Sequence, residues 1–218
     1  MKRILHICLT ASLLAMVFLL GLASFAYARP QFYLGVSQVY NSVNTDATDY
    51  YFSDGYETEL ESVPALDPGN GLSLTLGMEF RSCALEFGLT ASSHDGVDSL
   101  GGPMDASYGI FDVNFKKFIG PSQHFKPYIL VGLCLTSLEV EYGSVNNYYG
   151  SGDATFTGIG LNLGYGLELK FSNVAFKGEA IYRTTEFTDV SGVDASGTLP
   201  SYVDGNGLCF NVGMNLYF

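Results

Sequence analysis

Residues 71–80 read GLSLTLGMEF, and the order of their side chains decides the fold. Leu72, Leu74, Leu76, Met78 and Phe80 alternate with Gly71, Ser73, Thr75, Gly77 and Glu79. A period of two puts successive side chains on opposite faces of an extended chain, so the stretch predicts a strand with one apolar face and one small, polar face. Past Arg81-Ser82 the pattern resumes, with Cys83, Leu85, Phe87 and Leu89 against Ala84, Glu86, Gly88 and Thr90. Two such runs with a minimal break between them predict a hairpin.

The alternation recurs along the chain. Phe32, Leu34 and Val36 oppose Tyr33, Gly35 and Ser37, and Phe111, Val113 and Phe115 oppose Asp112, Asn114 and Lys116. Around Tyr128 to Tyr142, Ile129, Val131, Leu133 and Leu135 oppose Gly132, Cys134 and Thr136. The apolar residues then continue as Leu138, Val140 and Tyr142, a change of parity that predicts a bulge near Ser137. From Thr155 to Phe171, Ile159, Leu161, Leu163 and Tyr165 face away from Gly158, Gly160, Asn162 and Gly164. Val174, Phe176, Ala180 and Tyr182 stand against Lys177, Glu179 and Arg183, and the last run sets Leu208, Phe210, Val212, Met214, Leu216 and Phe218 against Gly207, Cys209, Asn211, Gly213, Asn215 and Tyr217. That makes eight strands. Short connections at Arg81-Ser82, Ile119 to His124 and Ser172-Asn173 alternate with longer ones over Asn41 to Asn70, Ser92 to Asp105, Gly143 to Asp153 and Thr184 to Asn206. The expectation is an all-β, eight-stranded antiparallel up-and-down transmembrane β-barrel with two unlike ends.

Composition narrows the class. The chain has 218 residues, of which 47% are hydrophobic and 15% charged, with 26 Gly, 15 Tyr and 16 Phe, which excludes disorder. It carries 10 Lys and Arg against 22 Asp and Glu, too few bases to build a face for nucleic acid. Met1 to Ala28 reads as a secretory leader: Lys2 and Arg3, an apolar stretch from Leu13 to Leu22, then Ala26-Tyr27-Ala28 as a small-x-small cleavage pattern. Residues 29–218 are then the barrel. Cys83, Cys134 and Cys209, odd in number and far apart, predict isolated buried thiols rather than a disulfide framework.

The face opposite the apolar one says which way is in. It consists of Gly, Ser, Thr and Asn, punctuated by Glu79, Glu86, Asp112, Glu168, Lys170, Lys177, Glu179 and Arg183. Small residues and charges of both signs suit a narrow interior, whereas a face almost free of charge suits lipid, where a Lys or Arg at mid-membrane costs about 2–4 kcal/mol. Aromatic girdles are expected from Phe80, Phe118, Tyr128, Phe171, Phe176 and Phe218 near the short turns, and from Tyr40, Tyr108 and Tyr142 near the long loops.

With these features the chain resembles the small eight-stranded outer-membrane barrels of Gram-negative bacteria, the OmpA-like and OmpX-like group. The terminal segment Asn211 to Phe218 carries the closest likeness, because Asn211, Gly213, Leu216 and Phe218 match the group's closing pattern in order. The resemblance implies the cell outer membrane as location, outer-membrane lipid and lipopolysaccharide as surroundings, and recognition of that last strand by the outer-membrane assembly machinery. The chain stops at Phe218, so the peptidoglycan-binding domain of full-length OmpA proteins is expected to be absent.

Candidate chemistry is sparse. Glu79, Glu86, Glu168, Lys177, Glu179 and Arg183 are expected to form a paired charge network plugging the lumen, since buried charges must be paired. Asp46, Asp49, Asp54, Glu57, Glu59, Glu61 and Asp67 make the first long loop acidic, a candidate surface for an external ligand or a hard divalent cation, but without an ordered calcium-loop pattern. His94 follows Ser92 and Ser93 and precedes Asp95, the only arrangement on which a lipid A-modifying enzyme could rest, and is read as a solvated loop histidine. Without a phosphate loop or metal-ligand spacing, no catalytic site, metal or cofactor is expected. The expected role is structural, adhesive or surface-recognising with a largely filled polar lumen; the alternative is a small channel for ions or solutes.

Overall fold

The computed structural model describes residues 30–45, 48–53, 58–63, 65–97, 102–120, 122, 124–141, 153–192 and 196–218. The expected leader lies outside the described residues, as do Asp46, Asp54 and Glu57 of the acidic loop, and Tyr142. In chain order the strands are β1 (Gln31–Asn41), β2 (Thr48–Ser53), β3 (Thr58–Val63), β4 (Ala65–Leu66), β5 (Gly69–Glu79), β6 (Cys83–Val97), β7 (Pro103–Phe118), β8 (Phe125–Glu141), β9 (Asp153–Phe171), β10 (Val174–Gly192), β11 (Ser196–Asp204) and β12 (Gly207–Tyr217).

Eight of them close on themselves. Each pairs antiparallel with the next in the order β1, β5, β6, β7, β8, β9, β10 and β12, and β12 returns to β1 through Tyr33↔Tyr217 to Asn41↔Cys209. Closure leaves no sheet edge, so every backbone group in the ring has a partner. β4 adds two residues to β6, β11 extends the outer half of β10, and β2 and β3 form a separate hairpin. A three-residue turn, Phe80 to Ser82, joins β5 to β6, and a two-residue turn joins β9 to β10, with Ser172 in the left-handed region at φ 55. The short turns and both ends of the ring, Gln31 and Tyr217, lie at one end of the barrel.

Orientation follows from exposure. Leu163 and Val212 are 65% and 69% exposed on the outer surface, and Leu72, Leu74, Leu89, Phe210 and Leu216 stand beside them, whereas Glu86 and Lys116 are 3% and 1% exposed inside. A soluble monomer rarely shows an apolar patch beyond a few hundred Å², so a continuous apolar wall around a charged interior demands lipid outside.

Three expectations are corrected. There is no bulge at Ser137: β8 pairs in unbroken register with β7 from Asp105↔Glu141 to Phe118↔Tyr128, and with β9 from Phe125↔Leu169 to Glu141↔Asp153. Leu138 and Val140 point inward because the interior itself turns apolar at that level, not because the strand changes parity. The register shift in the ring sits instead on β10, between Phe187 and Asp189. Second, Ser92, Ser93 and His94 lie on strand β6, and much of the longer connections is barrel wall, since β8, β9 and β10 run for 17, 19 and 19 residues. Third, the girdle is thinner than expected. Phe171, Phe176, Phe218 and Tyr40 face outward, but Tyr108 and Tyr128 share the inward parity of Asp112 and Gly132 and are buried, and Phe80 is buried just beyond the end of β5. Cys83, Cys134 and Cys209 are each buried.

Candidate functional site

Eight strands enclose an interior only wide enough for side chains to fill, and the sequence makes room for large ones by pairing them with glycine. Tyr33 sits in register with Gly77 and Tyr128 with Gly166. A Cβ on either glycine would run into the tyrosine ring, so each ring lies flat against its neighbouring strand. Their hydroxyls thereby reach the barrel axis, where Tyr33 donates to Glu86 at 2.5 Å and Tyr128 donates to Glu179 at 2.7 Å.

Lys116 is the hub of this middle layer. Its Nζ lies 2.6 Å from Glu86 and 2.6 Å from Glu179, while Lys177 stands 3.5 Å from Glu179 and Asn211 donates to the same carboxylate at 3.1 Å. Towards the short turns a second layer forms around Glu79 and Glu168. Lys126 lies 2.5 Å from Glu79 and 3.9 Å from Glu168, Lys170 lies 3.5 Å from Glu79, and the Tyr217 hydroxyl contacts both carboxylates at 2.8 and 2.7 Å. Towards the long loops, Arg183 lies 3.3 Å from Asp112 and donates through Nε to Asn162 Oδ1 at 3.0 Å, and Asn162 donates to Asp112 at 2.6 Å. Glu79, Glu86, Asp112, Glu168 and Glu179 are thus matched by Lys116, Lys126, Lys170, Lys177 and Arg183, so the network is formally neutral. An isolated charge in this low-dielectric space would cost several kcal/mol; each has an opposite partner and hydrogen bonds instead.

All six residues singled out from the sequence, Glu79, Glu86, Glu168, Lys177, Glu179 and Arg183, lie in this network. The network also takes in Asp112, Lys116, Lys126 and Lys170. The alternation already sets Asp112, Lys116 and Lys170 on the inward face, so parity names them without naming their partners, whereas Lys126 precedes the apolar run that marks its strand.

Beyond Arg183 the interior changes character. Val43, Met104, Ala106, Leu138, Val140, Ala154, Phe156, Phe187 and Val190 form an apolar cluster that fills the outer end, with Phe156 and Phe187 in edge contact at 6.3 Å between ring centres. The lumen is therefore a charged plug in series with an apolar cap.

At the edge of that cap the Ser92 hydroxyl and His94 Nε2 lie 3.0 Å apart, and His94 Nδ1 lies 2.9 Å from the Asp67 carbonyl oxygen. Nδ1 can only donate to that carbonyl, so Nε2 accepts from Ser92. His94 is 2% exposed, packs edge-on to Tyr108 and lies so close over Gly69 that a Cβ there would strike its ring, which corrects its reading as a solvated loop residue. The pair has serine–histidine polarity but is closed off from lipid and solvent alike, and what it visibly does is hold the Asp67 segment against the barrel rim. Of the terminal pattern, Leu216 and Phe218 face outward, Asn211 is taken up by Glu179, and Gly213 passes close over Ser37. Among the described residues, no group of His, Cys, Asp or Glu is arranged to hold a metal ion.

The architecture has counterparts. No curated protein matches the chain by sequence. Among solved structures it is similar to Neisserial surface protein A, at 14% identity and a TM-score of 0.57 over 86% of this chain and 97% of that one. It is similar also to the outer membrane protein OprG of Pseudomonas aeruginosa, at 17% identity and a TM-score of 0.58 over 88% and 97%. A third is Ail, the attachment invasion locus protein of Yersinia pestis, solved with the heparin analogue sucrose octasulfate, at 12% identity and a TM-score of 0.51 over 87% and 99%. At such identities the likeness is one of fold. Residues 12–215 match the outer membrane protein β-barrel domain, and with the closed eight-stranded ring, the apolar exterior and the charged interior this makes the chain a member of the outer-membrane β-barrel family, resident in the cell outer membrane.

Proposed function

We propose that this protein is a non-conducting barrel, exported behind a leader at residues 1–28, that serves envelope structure and surface recognition rather than transport or catalysis. The observation that carries the reading is the double closure of the lumen: a neutral network of paired charges in series with an apolar cap. Porins of 16–18 strands leave a water-filled channel, whereas eight strands give an interior just wide enough for side chains to fill or one small ligand to occupy, and here side chains fill it. Recognition then falls to the long-loop end, where the sequence gathers Asp46, Asp49, Asp54, Glu57, Glu59 and Glu61 with Tyr50, Tyr51 and Tyr56. Tyrosines supply contact area and carboxylates select for positive charge, so a cationic protein surface is the partner class that fits. The heparin analogue bound by Ail is a polyanion, which this acidic surface would repel. On the inner side, Asn211, Gly213, Leu216 and Phe218 serve as the strand read by the assembly machinery. Conductance across planar bilayers tests the central point. The purified barrel should show no steady open steps, and reproducible unitary steps would replace this reading with the small channel.

A further inference from the structure

The outer wall across β5 to β9 changes in a regular order toward the long loops, and its last row is wholly acidic. One row, paired strand to strand, is Leu74, Leu89, Phe111, Leu135 and Ile159. Two residues further on, the same face carries Leu72, Ala91, Gly109, Ser137 and Thr157, so the wall loses most of its side-chain bulk. The missing volume is an apolar trough of about 700 Å³, bounded by Val36, Leu72, Leu89, Phe111 and Leu135. It leads into a second hollow of about 500 Å³ lined by Asn70, Ser93, Ser107 and Glu139. One row higher, Asp95, Asp105, Glu141 and Asp153 hold directly opposed register positions on β6, β7, β8 and β9.

That last row works against the sheet that carries it. Like charges directly opposite one another on paired strands are destabilising, and Asp95, Asp105 and Glu141 are exposed, with Glu139 exposed just below them. Among the described residues the only bases outside the lumen network are Arg81 and Lys117, both near the short turns, and no group of acids is arranged to hold a metal ion. The countercharge therefore has to come with a partner. Four strands at a spacing of about 4.8 Å spread the row over roughly 14 Å, which suits several positive groups along a chain better than one headgroup amine.

The trough sets the rest of the partner. A Cβ at Gly109 would meet only the Ser137 carbonyl oxygen, at 3.8 Å, so the backbone does not impose the small residue there. Lys117, exposed near the short turns, and the Ser107–Glu139 level bracket ten residues of β7, about 34 Å of strand. At a tilt of about 40° this gives roughly 26 Å, close to the apolar band of about 25 Å that such barrels present. The trough thus lies just inside the lipid boundary, and the carboxylates lie above it.

We propose that this face docks an acylated cationic peptide. The acyl chain fills the trough at Gly109, and amines or guanidinium groups along the peptide meet Asp95, Asp105, Glu139 and Glu141. Charge complementarity selects this occupant. An anionic headgroup would be repelled by the carboxylates, a zwitterionic one would offer them a single amine, and a second copy of this chain would bring the same acids to the same height. Because the attraction is between exposed charges, binding should weaken as salt is raised. The site stands on the wall and not on the closed lumen or the acidic first loop, so it would survive the failure of either reading.

Native mass spectrometry of the folded chain in a non-ionic detergent, offered a dodecanoylated tetralysine, tests it. One probe per barrel should be retained. Free tetralysine and a dodecanoylated tetraglutamate should each be retained at least tenfold less. Gly109→Leu and Ala91→Leu fill the trough from β7 and β6, and each should lower retention of the first probe at least tenfold. A variant carrying Asp95→Asn, Asp105→Asn, Glu139→Gln and Glu141→Gln should show a similar fall, and what binding remains should no longer respond to salt. Every variant is first checked for the heat-modifiable migration of a closed barrel. Undiminished retention in both filled variants or in the neutralised one would overturn the proposal. Equal retention of free tetralysine, or of the tetraglutamate probe, would overturn it as well, the second by showing that any amphiphile coats the wall.

Discussion

At the residue scale the lumen is held by a few side chains that each satisfy several others. Lys116 is the extreme case, because its ammonium lies between Glu86 and Glu179, 2.6 Å from each. Lys116→Met would leave two buried carboxylates facing one another, and removing one partner of a buried pair costs about 3–5 kcal/mol. Urea unfolding in lipid vesicles should show a loss of that order, much of it recovered when Glu86→Gln and Glu179→Gln are added. His94 gives a contrasting expectation. Because Ser92 and His94 are enclosed, His94→Gln should leave the mass spectrum of lipid A from cells expressing the protein unchanged, and any altered acylation that depends on His94 would reinstate an enzyme. What the sequence showed at this scale was parity, not partners. Inward charges could be named because period two is a local property. That Asn162 links Arg183 to Asp112, or that the Asp67 carbonyl orients His94, depends on strands brought together by closure.

At the element scale, glycine has two distinct uses in these strands, and they predict opposite responses to the same change. At Gly166 the space above the backbone belongs to the Tyr128 ring, which reaches over it to Glu179. Gly166→Ala should displace that ring and destabilise the barrel by about 1–3 kcal/mol, the usual cost of overpacking. Gly109, on the outer face, has only the 3.8 Å contact with Ser137 oxygen, and Gly109→Ala should shift the unfolding midpoint little. Thermal unfolding followed by gel migration measures both, and equal shifts would show that the interior is looser than the ring contacts imply. The eight strands of the ring and their order were legible from alternation, but β2, β3, β4 and β11 in the long connections were not. The misplaced bulge shows where that signal stops. Leu138 and Val140 look like lipid-facing residues because apolar character had come to stand for outward, and nothing local says that the interior becomes apolar above Arg183. Strand length failed for a related reason: beyond the bilayer both faces meet water or the cap, the contrast between them fades, and polar stretches such as Ser92 to Val97 read as loop.

At the scale of the whole molecule, the interior is two barriers in series made of unlike materials. The charged layers close by electrostatic pairing across the barrel, the outer cap by packing of Phe156, Phe187, Leu138 and Val140. Barriers in series fail only together. Phe156→Ala with Phe187→Ala opens the cap but leaves Arg183, Asp112 and Asn162 bridging the lumen below it, so the double variant should remain silent in planar bilayers. Arg183→Ala with Asp112→Ala opens the upper charged layer beneath an intact cap and should be silent as well. Combining all four changes opens the outer part of the plug, yet Lys116, Glu86 and Glu179 still span the axis. Conductance should therefore appear only when Lys116→Ala, Glu86→Ala and Glu179→Ala are added and the layer at the short turns is opened as well, by Glu79→Ala, Lys126→Ala and Glu168→Ala. Truncating buried phenylalanines costs about 3–5 kcal/mol each, so every variant must first show the heat-modifiable band of a closed barrel. Current through the cap variant alone would mean that the charged layers already admit water and ions, and would place closure of the lumen in the apolar cluster by itself.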